Sequence, residues 1–399
     1  MGDRGDAVSG IGRTGWDALL RDLVMTPSHR GVERQEEATV RVLDRYLRLH
    51  GLVPEIVEVV PGRPNLLCTV AGPKPGRTLV LCGHTDTVPL NDGRPGVGFS
   101  AEVRDGCLLG RGSVDMKGAL AAMAATLAAL ERTEALESGA VTLAAVVDEE
   151  MESLGAEHVV ASGLRADGAI VGEPTSNRLA LGHKGLEWIE IAFDGKAAHG
   201  GTPRAGINAI DAAARFATLV RETLQPELAA RAHPLLGPPT INLGTIHGGD
   251  QPSTVAARCV LAVDRRSVPG ETYGTIVAEL RELLDAVESA MPGLRSSIGR
   301  MPGGMATLEH LPTVLSETHP LAVAAASACR EQRGHREPPV AFPAWTDAAL
   351  LAEFGGIPCV VLGPGDLSLA HSPGERVPLA EVEEAARIYA ATALDFCAG

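Results

Sequence analysis

The chain has 399 residues, of which 45% are hydrophobic and 21% are charged, and it carries a net charge of −15. This composition allows a large globular core and excludes an intrinsically disordered chain. The acidic balance, without basic clusters, excludes nucleic-acid binding as the main task.

The cysteines and the N-terminal region indicate the compartment. Seven cysteines are scattered, and no two form a Cys-x-x-Cys pair, which favours reduced thiols over a disulfide framework or a structural zinc site. The first thirty residues contain no apolar stretch long enough for a signal peptide. The longest apolar segment, 119–130, is shorter than the roughly 20 residues of a membrane helix. We therefore expect a cytoplasmic protein with no membrane partner.

The first part of the chain alternates helical and strand-like patterns. Helical patterns cover 16–24, 33–50 and 117–131. Apolar, strand-like runs cover 65–70, 78–82, 141–147 and 168–171. Alternation of this kind predicts a buried, mostly parallel sheet between layers of helices.

From about residue 185 the pattern changes to strand, helix, strand, strand, helix, strand. These six elements cover 186–195, 208–223, 240–249, 257–266, 272–290 and 294–301. Their order is typical of a split βαβ arrangement in a small two-layer domain. After about residue 301 the α/β pattern resumes, with a strand at 357–363 and a last helix that begins near Pro378.

We therefore predict an α/β fold in which a smaller domain interrupts a larger one. The larger domain has three layers around a mixed, mostly parallel sheet, and the insertion is a two-layer α+β (ferredoxin-like) domain. The predicted bounds are 1–184 and 301–399 for the two parts of the larger domain and 185–300 for the insertion. A substrate cleft tends to lie at such a junction.

Acidic and imidazole side chains follow the ends of the predicted sheet strands. They are His84, Asp86, Asp115, Asp148, Glu149, Glu150, Glu173 and His371. Ligand sites of α/β sheets lie beyond the carboxyl ends of the strands, and so many of these groups would repel one another there unless cations lay between them. Two histidines with several carboxylates suit zinc, cobalt or manganese better than calcium or magnesium.

Two metal ions would need about six protein contacts, with one carboxylate bridging ions roughly 3.5–4 Å apart. Asp115 is the candidate bridge because its glycine-flanked loop is isolated from the other acids. Asp86, two residues after His84, can accept the remaining N–H of that imidazole and fix its orientation.

Glu149 and Glu150 are adjacent, and neighbouring side chains of an extended stretch point in opposite directions. Both can reach one site only if the chain turns there, which the following Met-Glu-Ser-Leu-Gly permits. One glutamate can then bind a metal while the other accepts the proton of a metal-bound water. In isolation, the sequence Asp-Glu-Glu is more often a charged surface loop than part of an active site.

Eight motifs, in order from about residue 60 to 385, resemble those of a known superfamily. They are GHTDTVP, GRGSVDMKG, DEE, GEPT, AAHGGTPRAGINAI, VDRRSVPGE, WTDAALL and AHSPGE. The chain resembles the superfamily of dinuclear zinc aminoacylases, acetylornithine deacetylases, succinyl-diaminopimelate desuccinylases and glutamate carboxypeptidases, which are metallopeptidases.

The resemblance implies a role for each matching residue. One zinc ion would be held by His84, Asp115 and Glu173, and the other by Asp115, Glu150 and His371. Glu149 would be the general acid/base, and the peptide bond Asp115–Met116 would be cis. The cofactor implied is two divalent ions per chain, zinc by resemblance, with cobalt or manganese as alternatives.

The resemblance also implies roles outside the metal ligands. His199, in the inserted domain, would stabilise the oxyanion, commonly from the partner subunit of a homodimer formed through this lid and dimerisation domain. Arg266 would bind the substrate carboxylate, although Arg265 beside it competes for that assignment. The predicted substrate-binding set is completed by Ser253, Gly303 and Thr346.

The leading hypothesis is a two-metal amidohydrolase that cleaves a small-molecule N-acyl amino acid. A dipeptidase or carboxypeptidase of the same superfamily is the alternative. A hydrolase of ureido compounds is disfavoured by the acidic ligands, since such relatives often carry histidine in place of one carboxylate. A non-catalytic binding protein would be expected to lack a ligand or the general base, and here all are present.

Overall fold

The computed structural model describes residues 4–90, 97–302 and 307–399. The chain divides into two compact units, one formed by Met1–Gly182 with Val314–Gly399 and the other by His183–Thr313.

The helices and strands are numbered in chain order over the described residues. The helices are α1 (Arg4–Ser9), α2 (Trp16–Met25), α3 (Glu37–Leu49), α4 (Gly118–Thr133), α5 (Leu154–Ala161), α6 (Ala209–Leu219), α7 (Gln225–Ala230), α8 (Tyr273–Ala290), α9 (Pro320–Arg333) and α10 (Leu379–Ala398). The strands are β1 (Glu55–Val60), β2 (Arg63–Ala71), β3 (Lys74–His84), β4 (Val103–Arg104), β5 (Cys107–Leu109), β6 (Ser138–Val146), β7 (Gly168–Val171), β8 (Ala180–His183), β9 (Glu187–Asp194), β10 (Thr240–Gly248), β11 (Arg258–Arg266), β12 (Arg295–Arg300), β13 (Thr313–Val314), β14 (Val340–Phe342), β15 (Cys359–Val361) and β16 (Arg376–Pro378).

The large unit is built on a nine-stranded sheet in the order β1-β2-β6-β3-β7-β15-β8-β13, with β14 paired to β8. The four central strands, β6, β3, β7 and β15, are parallel. The pairs β1–β2, β2–β6 and β15–β8 are antiparallel. The predicted mixed sheet is therefore confirmed, with its parallel pairings in the centre.

Both faces of the central strands are covered, as the continuous apolar runs predicted. Val80 and Cys82 of β3 pack in a core cluster with Val159 of α5. Leu79 and Leu81, which alternate with them, are equally buried, and helices α4 and α10 contact β3. The result is the three-layer arrangement of helices, sheet and helices.

Helix α4 confirms the helix predicted over 117–131. Together with the preceding segment Ser113–Lys117, residues 113–133 are long and apolar enough to cross a membrane by length and composition alone, although the backbone of Asp115 and Met116 in that segment is not helical. The whole apolar stretch is buried inside the protein, so packing in the core accounts for its composition.

The small unit has the predicted split order of β9, α6, β10, β11, α8 and β12. Its sheet is antiparallel throughout, in the order β10-β11-β9-β12. Alternate residues of β9, such as Ile189 and Ile191, pack with Phe216 of α6 and Leu280 of α8. One face of the sheet therefore carries both helices, which confirms the two-layer ferredoxin-like prediction.

Candidate metal centre and active site

Four adjacent parallel strands deliver the candidate residues to one edge of the large sheet. Strand β6 leads to Glu149 and Glu150, β3 ends at His84, β7 is followed by Glu173, and β15 is followed by the loop with His371. Because parallel strands end on the same side of a sheet, these distant residues meet there.

The Asp115 carboxylate lies between two imidazoles. Its Oδ1 is 3.0 Å from Nε2 of His84, and its Oδ2 is 3.1 Å from Nε2 of His371. His84 is buried, whereas the His371 side chain is 48% exposed. One carboxylate with an imidazole at each oxygen is the arrangement expected of a bridging ligand.

A further carboxylate stands beside each imidazole. Oε1 of Glu173 is 3.8 Å from Nε2 of His84, and Oε1 of Glu150 is 3.1 Å from Nε2 of His371. The ligand atoms of His84, Asp115 and Glu150 all lie within 4.8 Å of one another, as do those of His84, Glu149 and Glu173. The structure therefore brings together all the residues predicted to surround the metals.

These separations fit divalent metal ions. Bond lengths of roughly 2.0–2.2 Å at a tetrahedral ion place neighbouring ligand atoms about 3.4 Å apart, and the four separations here lie between 3.0 and 3.8 Å. Oε1 of Glu173 is buried and accepts no hydrogen bond from any described residue. A buried carboxylate oxygen without a donor fits a cation ligand.

The electrostatics of these side chains point the same way. Burial, reinforced by the charge of Asp115, raises the pKa of Glu173 well above its ordinary value. Burial and the charge of Glu173 do the same to the pKa of Glu149. Burial also opposes ionisation of Asp115, but hydrogen bonds from His371 and His84 outweigh it and lower the pKa of that carboxyl. Carboxylates this crowded can all be ionised only beside cations.

A turn after β6 explains how Glu149 and Glu150 both reach the site. Asp148 has a positive φ of 73°, and its carbonyl accepts hydrogen bonds from the N–H groups of Glu152 at 3.1 Å and Ser153 at 2.7 Å. The chain thus turns at the two glutamates themselves, as their adjacency required.

Asp86 contacts both His84 and this turn. Its Oδ1 is 3.4 Å from Nδ1 of His84, and its backbone oxygen is 3.0 Å from the same nitrogen. Its carboxylate also accepts the backbone N–H groups of Glu149 at 3.2 Å and Glu150 at 3.0 Å. Asp86 therefore holds the imidazole and the glutamate turn in one arrangement, a connection that the sequence analysis did not predict.

Two charged residues near Asp115 were also missed as individuals, although both lie in quoted motifs. Glu375, in AHSPGE, accepts the backbone N–H groups of Val114 at 3.3 Å and Asp115 at 3.4 Å. Arg111, in GRGSVDMKG, is buried and pairs with Glu375. The following bond, Asp115–Met116, is cis as the resemblance implied. The sequence did offer a signal for both, because each is a charged residue in a motif that also contains a proposed metal ligand.

Thr346 of the large unit and Gly303 were also predicted to bind the substrate. Thr346 is fully buried, and its hydroxyl accepts the N–H of Ala348 at 3.1 Å, so it has a local structural contact and no exposed surface. A substrate contact by Thr346 remains a prediction. Gly303 lies outside the described residues.

In the small unit, His199 lies beside the loop that contains Ser253. The N–H of Gly200 donates to the carbonyl of Ser253 at 2.7 Å, and the backbones of His199 and Thr254 pair as in an antiparallel sheet. Both His199 and Ser253 are exposed. The structure thus brings these two predicted residues together.

The same unit distinguishes the two neighbouring arginines. Arg265 is fully buried and pairs with Glu271 at 2.7 Å. Arg266 keeps 28% of its side chain exposed and forms a two-pronged pair with Asp264, at 2.8 and 3.0 Å. Only Arg266 of this pair presents charge at the surface, because the guanidinium of Arg265 is committed to the interior.

Comparison with known proteins identifies the class. Residues 80–395 match the model of Peptidase family M20/M25/M40, and the chain belongs to this family of hydrolases. It is 32% identical over 397 residues to an acetylornithine deacetylase of Proteus mirabilis, covering 95% of this chain and 96% of that one.

Solved structures share the fold. An aminopeptidase PepT of Bacillus cereus has a TM-score of 0.78 at 21% identity, with 99% of both chains covered. A dinuclear metal-binding peptidase of the M20 family from Bacillus subtilis has a TM-score of 0.72 at 17% identity, with 97% of this chain and 98% of that one covered.

Metal binding should become tighter as the pH rises. In the metal-free protein, hydrogen bonds to Asp115 and Glu150 raise the pKa of His371 to about 10. The imidazole is therefore protonated at neutral pH and must lose that proton to bind a metal. We expect apparent zinc affinity to rise about tenfold per pH unit for each proton released.

Calorimetric titration of metal-free protein with zinc measures the zinc affinity and the number of protons released. It would be run at about pH 6 and about pH 8, in buffers of different ionisation enthalpy. The control is His335→Gln, which removes an exposed histidine paired with Glu337 and should leave the pH dependence unchanged. Zinc binding with the same affinity at both pH values and no proton release would contradict the expectation.

Proposed function

We propose that the protein hydrolyses the amide bond of a small N-acyl amino acid, using two divalent metal ions per chain, with zinc as the physiological metal. The observation that carries the proposal is the Asp115 carboxylate between His84 and His371, with Glu149 beside them. The similarity to an acetylornithine deacetylase across 95% of the chain supports the substrate class.

The donor set supports the following proposed assignment of the metal ligands. His84, Asp115 and Glu173 would hold one ion, and Asp115, Glu150 and His371 the other. Bound divalent ions polarise a carbonyl and lower the pKa of a bound water.

Glu149 is the residue proposed to move the proton. Burial and then the charge of Glu173 raise the pKa of Glu149 above its ordinary value, which favours the uptake of a proton by this carboxylate. Its carboxylate would take the proton of the attacking water and pass it to the leaving nitrogen. Asp86 accepts the backbone N–H of Glu149 and so helps to hold the residue that carries this carboxylate.

His199 is proposed to stabilise the oxyanion. Its Nδ1 accepts the N–H of Gly201 at 3.0 Å, so in the neutral imidazole the proton lies on Nε2. That N–H would be available as a donor to the developing negative charge. Arg266 is proposed to bind the substrate carboxylate, which would have to share or displace the two-pronged contact of its guanidinium with Asp264. Ser253 is proposed to line the same pocket. Gly303 and Thr346 remain in the proposed substrate-binding set by resemblance.

A panel of substrates tests the proposed reaction. Wild-type protein with saturating zinc would be assayed against N-acetyl and N-succinyl amino acids, including acetylornithine, and against dipeptides and tripeptides. Faster hydrolysis of the N-acyl amino acids supports deacylation. Preference for the peptides would favour the second candidate, a peptidase, for which the structural likeness to an aminopeptidase is the specific observation. Hydrolysis of neither class would contradict both.

We propose further that the small unit forms a homodimer in which His199 serves the partner's site. His199→Ala should then lower kcat about 10²–10³-fold, the effect of removing one oxyanion donor. Mixed dimers of His199→Ala with Glu149→Gln should regain activity, since one of their two sites would combine an intact His199 with an intact Glu149.

Co-expression of the two variants with different tags, followed by purification of the mixed dimer, measures this complementation. The matched control is His233→Ala co-expressed with Glu149→Gln, because His233 lies in the same unit and its Nδ1 accepts the N–H groups of Leu235 and Leu236 in its own turn. The dimer of His233→Ala alone should be fully active. Inactive mixed dimers of the His199 and Glu149 variants, or a monomeric protein in sedimentation, would refute a contribution from the partner.

A further inference from the structure

Strand β2 begins with Arg63-Pro64-Asn65, a segment to which the proposed mechanism assigns no role. Side chains two residues apart in a strand lie on the same face of a sheet. Both Arg63 and Asn65 contact the loop 147–155 that follows β6. This loop carries Glu149 and Glu150, and β2 is the antiparallel neighbour of β6.

Arg63 contacts the residue that starts the glutamate turn. Its Nη2 donates to Oδ1 of Asp148 at 2.6 Å, and its Nε donates to Oε2 of Glu36 at 2.8 Å. Nη2 also contacts the second oxygen of Glu36. Glu36 is fully buried and the Asp148 side chain is 5% exposed, so both charges depend on Arg63 for compensation.

Asn65 connects the two ends of the same loop. Its Oδ1 accepts the N–H of Val147 at 3.1 Å, and its Nδ2 donates to the carbonyl of Gly155 at 2.9 Å. The N–H of Gly155 in turn donates to the carbonyl of Val147 at 3.0 Å. A Cβ at Gly155 would lie 2.7 Å from Oδ1 of Asn65 and 2.3 Å from the nitrogen of Val147, so the loop closes directly on this amide.

We propose that Arg63 and Asn65 are positioning residues that hold the loop 147–155 so that Glu149 and Glu150 face the metal site. The inference rests on the proposed function for the roles of those two glutamates. Asp148 has a left-handed backbone, which a non-glycine residue adopts at a cost. Nη2 of Arg63 binds the Asp148 carboxylate while the guanidinium is held in a two-pronged contact with Glu36, and the amide of Asn65 joins the two ends of the loop. These contacts are separate from the hydrogen bonds that Asp86 makes to the backbone of Glu149 and Glu150.

The chain offers variants that separate positioning from general stability. Arg63→Met removes the fork, Arg63→Lys keeps the charge but loses the fork geometry, and Asn65→Ala opens the loop ends without leaving a buried charge unpaired. The matched control is Arg48→Met, which removes the ion pair of Arg48 with Asp44 on the exposed face of α3.

Hydrogen–deuterium exchange of the full-length, zinc-saturated protein measures the loop independently of activity. In Arg63→Met and Asn65→Ala we expect the amides of Glu152 and Ser153, which donate to Asp148, to exchange at least about tenfold faster. Arg63→Lys should lie between these variants and wild type, and Arg48→Met should match wild type. Exchange in α10 should stay unchanged throughout.

Kinetics on the substrate that wild type hydrolyses give the second readout. We expect kcat to fall about 10²-fold in Arg63→Met, since small displacements of a catalytic group have effects of that size, while KM changes little. Unchanged amide exchange in the loop 147–155 of both Arg63→Met and Asn65→Ala would overturn the inference. Faster amide exchange throughout the large unit would also overturn it, as would faster exchange in the loop of a variant that keeps the wild-type kcat. If wild type hydrolyses nothing in the panel, the proposed function fails, whereas the exchange data still decide whether Arg63 and Asn65 hold the loop.

Discussion

Glu149→Gln should lower kcat about 10²–10⁴-fold, the range that a positioned general acid/base contributes, while the protein keeps its metal ions. Glutamine preserves the shape of the side chain and its carbonyl oxygen but cannot take up a proton at neutral pH. Burial and the neighbouring charge of Glu173 favour the protonated form of Glu149, and proton transfer is the function that the substitution removes. Steady-state kinetics on the best N-acyl amino acid, with metal content by plasma emission, measure both effects.

The control for this experiment is Glu152→Gln, in the same turn, because the Glu152 backbone contacts Asp148 and its side chain belongs to neither group of candidate ligands. Glu152→Gln should retain wild-type kcat. The ligand atoms of Glu149 cluster with those of His84 and Glu173, so loss of a metal ion from Glu149→Gln would identify Glu149 as a ligand. That result, or a fully active variant, would refute its role as the proton carrier.

Asp115→Asn should weaken binding of both metal ions by more than about 100-fold, because a bridging ligand contributes more than the outer partners whose loss costs 10–100-fold. Each carboxylate oxygen of Asp115 stands beside a different imidazole, and an amide offers only one oxygen to replace the two. Activity should fall at least as far as in Glu149→Gln. Zinc titration of metal-free protein gives the affinity, and circular dichroism checks the fold.

Asp105→Asn is the matched control, since Asp105 is an exposed residue in the turn between β4 and β5 of the same unit. It should bind zinc like wild type. Two tightly bound ions in Asp115→Asn would contradict the bridge, and each ion would then have to be held by ligands of its own.

The local patterns of the sequence predicted the elements that position the site. The apolar run 168–171 coincides with β7, and the alternating residues of 186–195 contain β9. His84 was predicted at a strand end, where β3 places it. These successes follow from burial, which imposes a period of two on a half-buried strand and a continuous apolar run on a central one.

Elements with weaker local signals were missed. Helix α9 was not predicted, although it begins with Pro320 and ends before Gly334, because its alanine-rich pattern has little amphipathic contrast. The strands β4, β5 and β16 form a separate small sheet, and none exceeds three residues. Strands so short carry too few residues to show a period.

The sequence by itself determined which residues were available for chemistry: two histidines, a string of carboxylates after apolar runs, and motifs in a family order. Only the tertiary structure decided which of them meet. Arg63 reaches Asp148 across 85 positions, and Glu375 reaches the backbone of Asp115 across 260. Hydrophobic periodicity specifies which face of an element is buried, but the order of strands in a sheet determines which strand ends are neighbours, and no local pattern encodes that order.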